Sequence, residues 1–409
     1  MVVKVSKPEI NVREKISELD KPSGVAGQAM LAAETPQEQF NLIGAGRRRM
    51  NINGAMNVFQ RGNVTGISTH DYGGADRYLM HNNVAGTIAL TEDADVPEGG
   101  GFQSSYKIAC TATETFAAAS NLFLLHRLEG QDSQCTNFGK PNASSLTLSF
   151  WIKSNRAGEF NVNFENELPT DGGSDRGYQT KQTLNQADTW EYKVVTIEGD
   201  NVSGKSFTNN TLKGLCFEIS LSKGGSAWAA TASKPYWHDL ANAERTYHNE
   251  HFFGDSTDNY WKITGVQLEL GKVATPFEHR SFGEELALCQ RYFQRLKFAG
   301  GHTKVALAYN TTSGLCTIDY STKREIPTIV TLPTATTSTN QANGISLLTS
   351  GGSYRSATGS EAVAASHISE DTCRINLTNF TASGSTGDAT WAYFTSTSNQ
   401  CHIDVQSEI

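Results

Sequence analysis

Short runs of alternating apolar and polar residues recur through the middle of the chain. Clusters of Gly, Asn, Asp and Ser separate them. The clearest runs are 146–152, 190–197, 215–221 and 261–270. A period of two is typical of strands that bury one face, and short strands joined by polar turns are typical of antiparallel sandwiches. We therefore predict a jelly-roll β-sandwich for residues 47–280.

The composition favours the same mainly β class. Hydrophobic residues make up 38% and charged residues 19% of the 409 positions, and there are 37 glycines. These values argue against a helix-rich enzyme, a coiled coil and a disordered acidic chain. The net charge of -8 gives no electrostatic support for binding nucleic acid.

Residues 302–409 return to the strand pattern and predict a small C-terminal β tip domain. The candidate strands are 304–309, 315–320, 329–332, 373–377 and 390–394. Ser, Thr and Gly crowd the stretch 333–361 between them.

Residues 1–46 differ from the rest and predict a helical arm. Two capping boxes, at 6–9 and 35–38, mark helix starts. The apolar positions that follow these starts are Val12, Ile16, Leu19, Phe40, Leu42 and Ile43. Two short helices cannot bury a core of their own, so they must rest on another surface. That surface is either the body of the chain or a partner.

A third capping box begins at Ser281 and predicts a linking helix over 281–301. Leu286, Cys289, Phe293 and Leu296 follow at spacings of 3, 4 and 3. This narrow apolar stripe is typical of a coiled-coil seam. It indicates either contact between copies of the chain or packing on the chain's own sandwich.

The motifs that suggest catalysis are weak. Residues 199–206 fit the phosphate-loop pattern, but the sequence after them predicts a strand where such a loop needs a helix. His248 and His251, with His238 upstream, lack a diagnostic metal-site spacing. Two carboxylates brought together from distant strands would still allow a glycosidase. We assign no catalytic residue and predict no metal or cofactor.

Clustered aromatic residues indicate a possible sugar contact. Tyr236 and Trp237 are adjacent, with Trp228 nearby. Flat rings suit the apolar C–H face of a pyranose, although packing in the core explains such a cluster equally well.

Several segments carry a resemblance to a known family. Residues 265–280, which include Thr275-Pro-Phe-Glu278, lead into 282–293 with Glu284-Glu-Leu and Cys289-Gln-Arg-Tyr-Phe293. This run resembles the linker between a carbohydrate-binding-like jelly roll and the distal part of bacteriophage tail fibres. Residues 51–62 resemble the first strand of the same jelly roll. Residues 7–15 and 34–38 resemble the N-terminal arm of virion fibre proteins from marine phages.

The lack of an apolar run of 18 residues predicts no membrane insertion, and seven scattered cysteines without a C-x-x-C pair indicate reduced thiols in a protein made in a cytosol, here that of the host. The resemblance implies a homotrimer on the virion. The six apolar positions of the arm would dock on tail adaptor or nozzle proteins, or on capsid proteins. Leu286, Cys289, Phe293 and Leu296 would form the trimer contact. The distal domains would bind a glycan or protein of the host surface. Where the jelly roll is purely architectural, Trp151, Trp190 and Trp261 are core residues.

The sequence therefore favours a trimeric tail fibre that binds the host without catalysis. The candidate receptor contacts are Tyr354, Trp391, Tyr393, Tyr236 and Trp237. One alternative is a capsid-bound head fibre or decoration protein. Another is a polysaccharide depolymerase, although such enzymes often carry short periodic repeats that this sequence lacks.

Overall fold

The structure is a computed structural model. It describes residues 32, 49–83, 86–167, 175–247, 249–299, 302–310, 312–335, 344–348, 357–380, 389–395 and 401–409. The predicted docking residues Val12, Ile16, Leu19, Phe40, Leu42 and Ile43 lie outside these ranges, as does Tyr354.

Two six-stranded antiparallel sheets form the larger part of the described chain. The first sheet contains, in order across it, β1 (Val64–Ile67), β3 (Thr87–Asp93), β4 (Ser105–Ala112), β12 (Tyr260–Leu270), β6 (Leu146–Ser154) and β9 (Glu191–Ile197). The second contains β11 (His238–Asp239), β8 (Arg176–Leu184), β7 (Gly158–Asn166), β10 (Lys213–Ser220), β5 (Leu122–Glu129) and β2 (Tyr78–Asn82).

Alternation along the strands builds one core between these sheets. Leu148, Phe150 and Ile152 of β6 are fully buried, as is Val162 of β7 in the opposite sheet. Side chains on successive strand residues point to opposite faces, so the intervening residues face outward. The prediction of a mainly β chain with antiparallel sheets is confirmed.

Two further sheets contain the remaining described strands. The smaller sheet has the order β13 (Phe293–Phe298), β22 (Cys401–Gln406) and β16 (Thr328–Thr331). The seven-stranded sheet has the order β17 (Thr334–Ala335), β18 (Gly344–Leu348), β21 (Ala389–Thr395), β14 (Thr303–Asn310), β15 (Ser313–Asp319), β20 (Thr372–Phe380) and β19 (Ala357–Ser366). Both sheets contribute to a second core, in which Phe298 stacks on Phe394 at 4.0 Å between ring centroids.

Helices are few in the described part of the chain, and none there is long and apolar enough to cross a bilayer. The α-helices are α1 (Gly130–Ser133) and α2 (Phe282–Gln290). The 3-10 helices are Gln134–Thr136, Asn242–Glu244 and Phe253–Asp255.

The predicted helix over 281–301 is shorter than expected, so its four apolar residues do not form one helical stripe. Their role as a trimer contact stays a prediction. Helix α2 starts at the expected cap, where the backbone N–H of Glu284 donates to Oγ of Ser281 at 3.3 Å, but it ends at Gln290. Phe293 and Leu296 lie in β13, because residues 293–298 pair with β22 in continuous register. Cys289 and Phe293 are buried within their own chain, so neither is exposed to a second copy.

Ion pairs and hydrogen bonds join the sandwich to the C-terminal sheets. Buried Arg77 pairs with Glu408, which follows β22. Glu129 at the end of β5 accepts from Arg291 at 2.8 Å and from the Tyr292 hydroxyl at 2.6 Å. The residues after α2 are thereby held against the sandwich.

Candidate functional site

An exposed aromatic platform lies on the outer face of the first sheet. On β9, Val195 is buried whereas Tyr192 and Val194 are 44% and 43% exposed. Trp151 of β6 pairs in register with Tyr192, and their ring centroids are 5.2 Å apart at an interplanar angle of 45°. Because Phe150 and Ile152 on either side of Trp151 fill the core, Trp151 faces outward.

A β-bulge at Gly265 forms the floor beside this platform. The pairing of β12 with β6 shifts register between Thr264 and Gln267, and Gly265 has a φ of 62°. A Cβ at this position would lie 2.6 Å from Cζ of Phe102 and 3.0 Å from Cδ1 of Trp151. Glycine therefore supplies the left-handed backbone and lets two rings close over the bulge.

A second aromatic cluster forms the opposite wall. Phe102, Phe277 and His279 pack with ring centroids 4.8 to 5.3 Å apart. The Thr-Pro-Phe-Glu turn that presents Phe277 is anchored on β12. There the Thr275 amide donates to Glu269 at 2.9 Å, and the Glu278 amide donates to Gln267 at 2.8 Å.

Platform, floor and wall enclose an open groove of about 340 Å³. Its lining consists of Gly99, Gly100, Phe102, Ser149, Trp151, Tyr192, Gly265, Pro276, Phe277 and His279. This volume falls within the size range of small-ligand sites, about 300–1,000 Å³. Flat aromatic faces beside a hydroxyl and an imidazole can stack on a sugar ring and bond to its hydroxyl groups.

A charged cluster borders the platform. Lys153 lies two residues after Trp151 on the same strand face, and its ammonium contacts Asp95 at 2.9 Å. Asp95 also accepts from Lys262 at 2.8 Å and from Nε1 of Trp190 at 2.9 Å. Burial raises the pKa of the Asp95 carboxyl, but these three hydrogen bonds outweigh it and hold the pKa well below its usual range.

Two neighbouring carboxylates on the second sheet are closed to substrate. Glu165 of β7 and Glu218 of β10 both bind the guanidinium of Arg245, and they are 1% and 0% exposed. Burial raises the pKa of Glu218 to about 7. This pair of carboxylates is bound to Arg245 and is not exposed, whereas the acid and base of a glycosidase must be accessible to substrate.

The described residues around the phosphate-loop motif and around His238 and His251 lack the features of a catalytic or metal site, and His248 lies outside the described residues. Residues 199–206 form a loop with no helix after it. His251 contacts the carbonyl of Ala157 at 2.6 Å, and His238 contacts that of Tyr236 at 3.0 Å. The described residues contain no group of three or more His, Cys, Asp or Glu that could hold a metal ion.

The predicted receptor contacts lie in two separate regions. Tyr236 is 56% exposed, whereas Trp237 is half-buried and donates to the carbonyl of Glu198 at 2.7 Å. Trp391, 40% exposed, and half-buried Tyr393 share the outer face of β21 in the seven-stranded sheet. The receptor role of these residues stays a prediction, and none of them lines the groove.

The interpretation of the strand tryptophans as core holds for Trp261 and is wrong for Trp151. Trp261 is 7% exposed and donates to the carbonyl of Leu221 at 2.8 Å. Trp190 is half-buried at the rim of the groove. The alternation over 146–152 places Trp151 on the face of the sheet opposite to that of Phe150. This alternation is the feature of the sequence that indicates an outward-facing Trp151 ring. Phe102 and Phe277 could not be found in this way, because they lie in loops.

Comparisons with known proteins found no matching family model and no match among curated proteins. The family 11 carbohydrate-binding module of Clostridium thermocellum, solved with a mixed-linked tetrasaccharide, has 11% identity and a TM-score of 0.26 over 52% of this chain and 98% of its own. A xylan-binding domain from Paenibacillus barcinonensis has 11% identity and a TM-score of 0.26 over 54% and 97%. The enzymatically active domain of bacteriophage CBA120 tailspike protein 4 has 9% identity and a TM-score of 0.25 over 47% and 19%. Likenesses at this level assign neither a function nor a ligand to this chain.

Proposed function

We propose that this chain is a non-catalytic glycan-binding protein whose binding site is the aromatic groove of the first sheet. The observation that carries the proposal is the outward pair of half-buried Trp151 and exposed Tyr192, which faces the wall built by Phe102, Phe277 and His279. A partly exposed ring pair next to an open groove leaves apolar surface that a sugar face would cover.

We further propose that the protein acts as a trimeric bacteriophage tail fibre. The resemblance of residues 265–293 to a tail-fibre linker supports this role, with the N-terminal arm on the virion and the distal domains toward the host. Weak sites suit such a particle, because several sites acting together convert modest affinity into firm attachment.

Binding to immobilised polysaccharides tests the groove. We expect the wild-type chain to be retained by at least one polysaccharide, and Trp151→Ala and Tyr192→Ala each to weaken that binding by about five- to tenfold, since stacking on a ring contributes about 1 kcal/mol. Tyr236→Ala is the matched control, because it removes an exposed ring outside the groove.

Two results would contradict the proposal. Binding that survives Trp151→Ala but is lost in Tyr236→Ala would move the site to the second sheet. Release of reducing ends from the bound polysaccharide would show a depolymerase instead of a binding protein.

A further inference from the structure

The lining of the groove is uncharged. Among the described residues, the ten that line it include no Asp, Glu, Lys or Arg. A site that binds uronate, sulfate or phosphate groups normally places an arginine, a lysine or a cluster of backbone N–H groups against them. Here the polar side chains within the lining are those of Ser149, Tyr192 and His279, with the indole N–H of Trp151.

Lys153 and Lys262, in the charged cluster that borders the platform, are already paired with aspartates. Lys262 contacts Asp93 at 3.0 Å and Asp95 at 2.8 Å, and Lys153 contacts Asp95 at 2.9 Å. An anionic sugar would have to compete with these carboxylates for the ammonium groups.

A buried carboxylate holds the turn that carries the wall residue Phe277. Glu269, which is 2% exposed, accepts from the Thr275 amide at 2.9 Å and from the Thr275 hydroxyl at 2.6 Å. The whole chain adds a net charge of -8, which repels polyanions at long range.

We propose that the groove selects uncharged glycans and discriminates against acidic polysaccharides. This inference rests on the proposed function and names the ligand class of the same groove. The ligand is a stretch of neutral pyranose rings, which the aromatic walls bind by their apolar faces and the groove's few polar groups bind through hydroxyl groups.

The test uses polymers that differ only in charge. Alginate and polygalacturonate are immobilised beside their carboxyl-reduced forms, together with a neutral glucan, mannan and galactan. The full-length chain and its Trp151→Ala and Tyr236→Ala variants are compared at low and high salt. We expect retention on one or more neutral polymers, at least about tenfold weaker binding to any acidic counterpart, and little change with salt.

The outcomes distinguish the charge selectivity of the groove from its proposed function as a glycan-binding site. The chain could instead be retained on an acidic polymer, with binding that is lost on carboxyl reduction or in high salt and is abolished by Trp151→Ala. That result would overturn the charge selectivity but leave glycan binding by the groove intact. Retention unaffected by Trp151→Ala, or no retention on any polymer, would overturn the proposed function itself. Neutral retention that Trp151→Ala weakens by about five- to tenfold and Tyr236→Ala preserves supports both the binding site and the charge selectivity.

Discussion

At the scale of single residues, Gly265 determines whether the groove can form. Replacing it with alanine strains a backbone with a φ of 62° and places a methyl group 2.6 Å from Phe102. We expect Gly265→Ala to lower the free energy of unfolding by about 1–3 kcal/mol and to weaken glycan binding, since Phe102 or Trp151 must move.

Gly204→Ala is the matched control for this substitution. Gly204 also has a positive φ, of 82°, but an added Cβ there meets nothing within 4 Å. Thermal unfolding and polysaccharide binding of both variants separate backbone strain from the clash. Equal effects of the two variants on binding would argue against Gly265 as the floor of the site.

A half-buried histidine gives a second prediction at this scale. Burial and the nearby His70 ring together lower the pKa of His81 to about 4. An unfolded histidine titrates near 6.5, so as the pH falls from about 6.5 to 4 the unfolded chain gains a proton that folded His81 does not. His81 therefore contributes stability above about pH 6.5 that is lost through this window.

Replacing His81 by glutamine should make the fall in stability between pH 6.5 and 4 shallower, by at most about 1 kcal/mol per pH unit. His367→Gln, which replaces an exposed histidine, is the control. Urea unfolding at several pH values measures both slopes. An unaltered slope in His81→Gln would show that folded His81 takes up its proton over the same pH range as an unfolded histidine.

Individual residues also show where the sequence was sufficient and where it was not. Strand alternation places Phe150 in the core and Trp151 outside, and the structure agrees with that register. Strand alternation does not reveal that Gly265 is a bulge or that Phe277 packs on Phe102, because these features depend on contacts between segments far apart in the chain. The burial of charged residues such as Arg77 cannot be predicted from the sequence for the same reason.

At the scale of elements, helix α2 and strand β13 show how a pattern can mislead. The spacing of apolar residues over 286–296 fits a helix, yet the chain leaves the helix after Gln290 and residues 293–298 join β22. The pairing partner lies more than a hundred residues later, so local periodicity could not decide between the two structures. The N-cap at Ser281 depends only on neighbouring residues, and it was predicted correctly.

The residues after β22 provide a prediction for this junction. Glu408 is the carboxylate partner of Arg77, whose side chain is 1% exposed. Glu408→Gln would leave that buried guanidinium without its counter-charge, and we expect a loss of about 3–5 kcal/mol in the free energy of unfolding. Denaturant unfolding measures this loss.

Glu370→Gln, at an exposed position, should change the stability by less than about 0.5 kcal/mol. A similarly small effect of Glu408→Gln would mean that Arg77 is reached by water. In that case the junction would not depend on this ion pair.

At the scale of the whole molecule, the fibre proposal predicts a defined assembly. Three chains of 44.4 kDa give a mass of about 133 kDa. Light scattering of the full chain and of a version lacking residues 1–46 should give a trimer in both cases if the body trimerises and the arm is free to dock. A monomer in both would contradict the trimeric fibre and leave a monomeric glycan-binding protein.

The burial of Cys289 and Phe293 bears on how such a trimer would form. These two residues offer no surface to a second copy, whereas Leu286 and Leu296 of the same predicted contact are half-buried. The trimer contact at these four positions stays a prediction. The mainly β class followed from composition and alternation alone, because both are summed over many residues. The location of the groove depended on how the first sheet, its bulge and the turn at 275–278 come together.

The central claim, that the groove binds glycan, is tested most directly by fluorine NMR of the chain labelled with 5-fluorotryptophan. The six tryptophans report on every candidate region: Trp151 and Trp190 on the groove and its rim, Trp228 and Trp237 on the segment after β10, Trp261 on the core and Trp391 on the seven-stranded sheet. Titration with a retained neutral oligosaccharide should shift the Trp151 resonance most, with a smaller change at Trp190 and none at Trp261 or Trp391. Shifts at Trp237 or Trp391 with Trp151 unchanged would contradict the account.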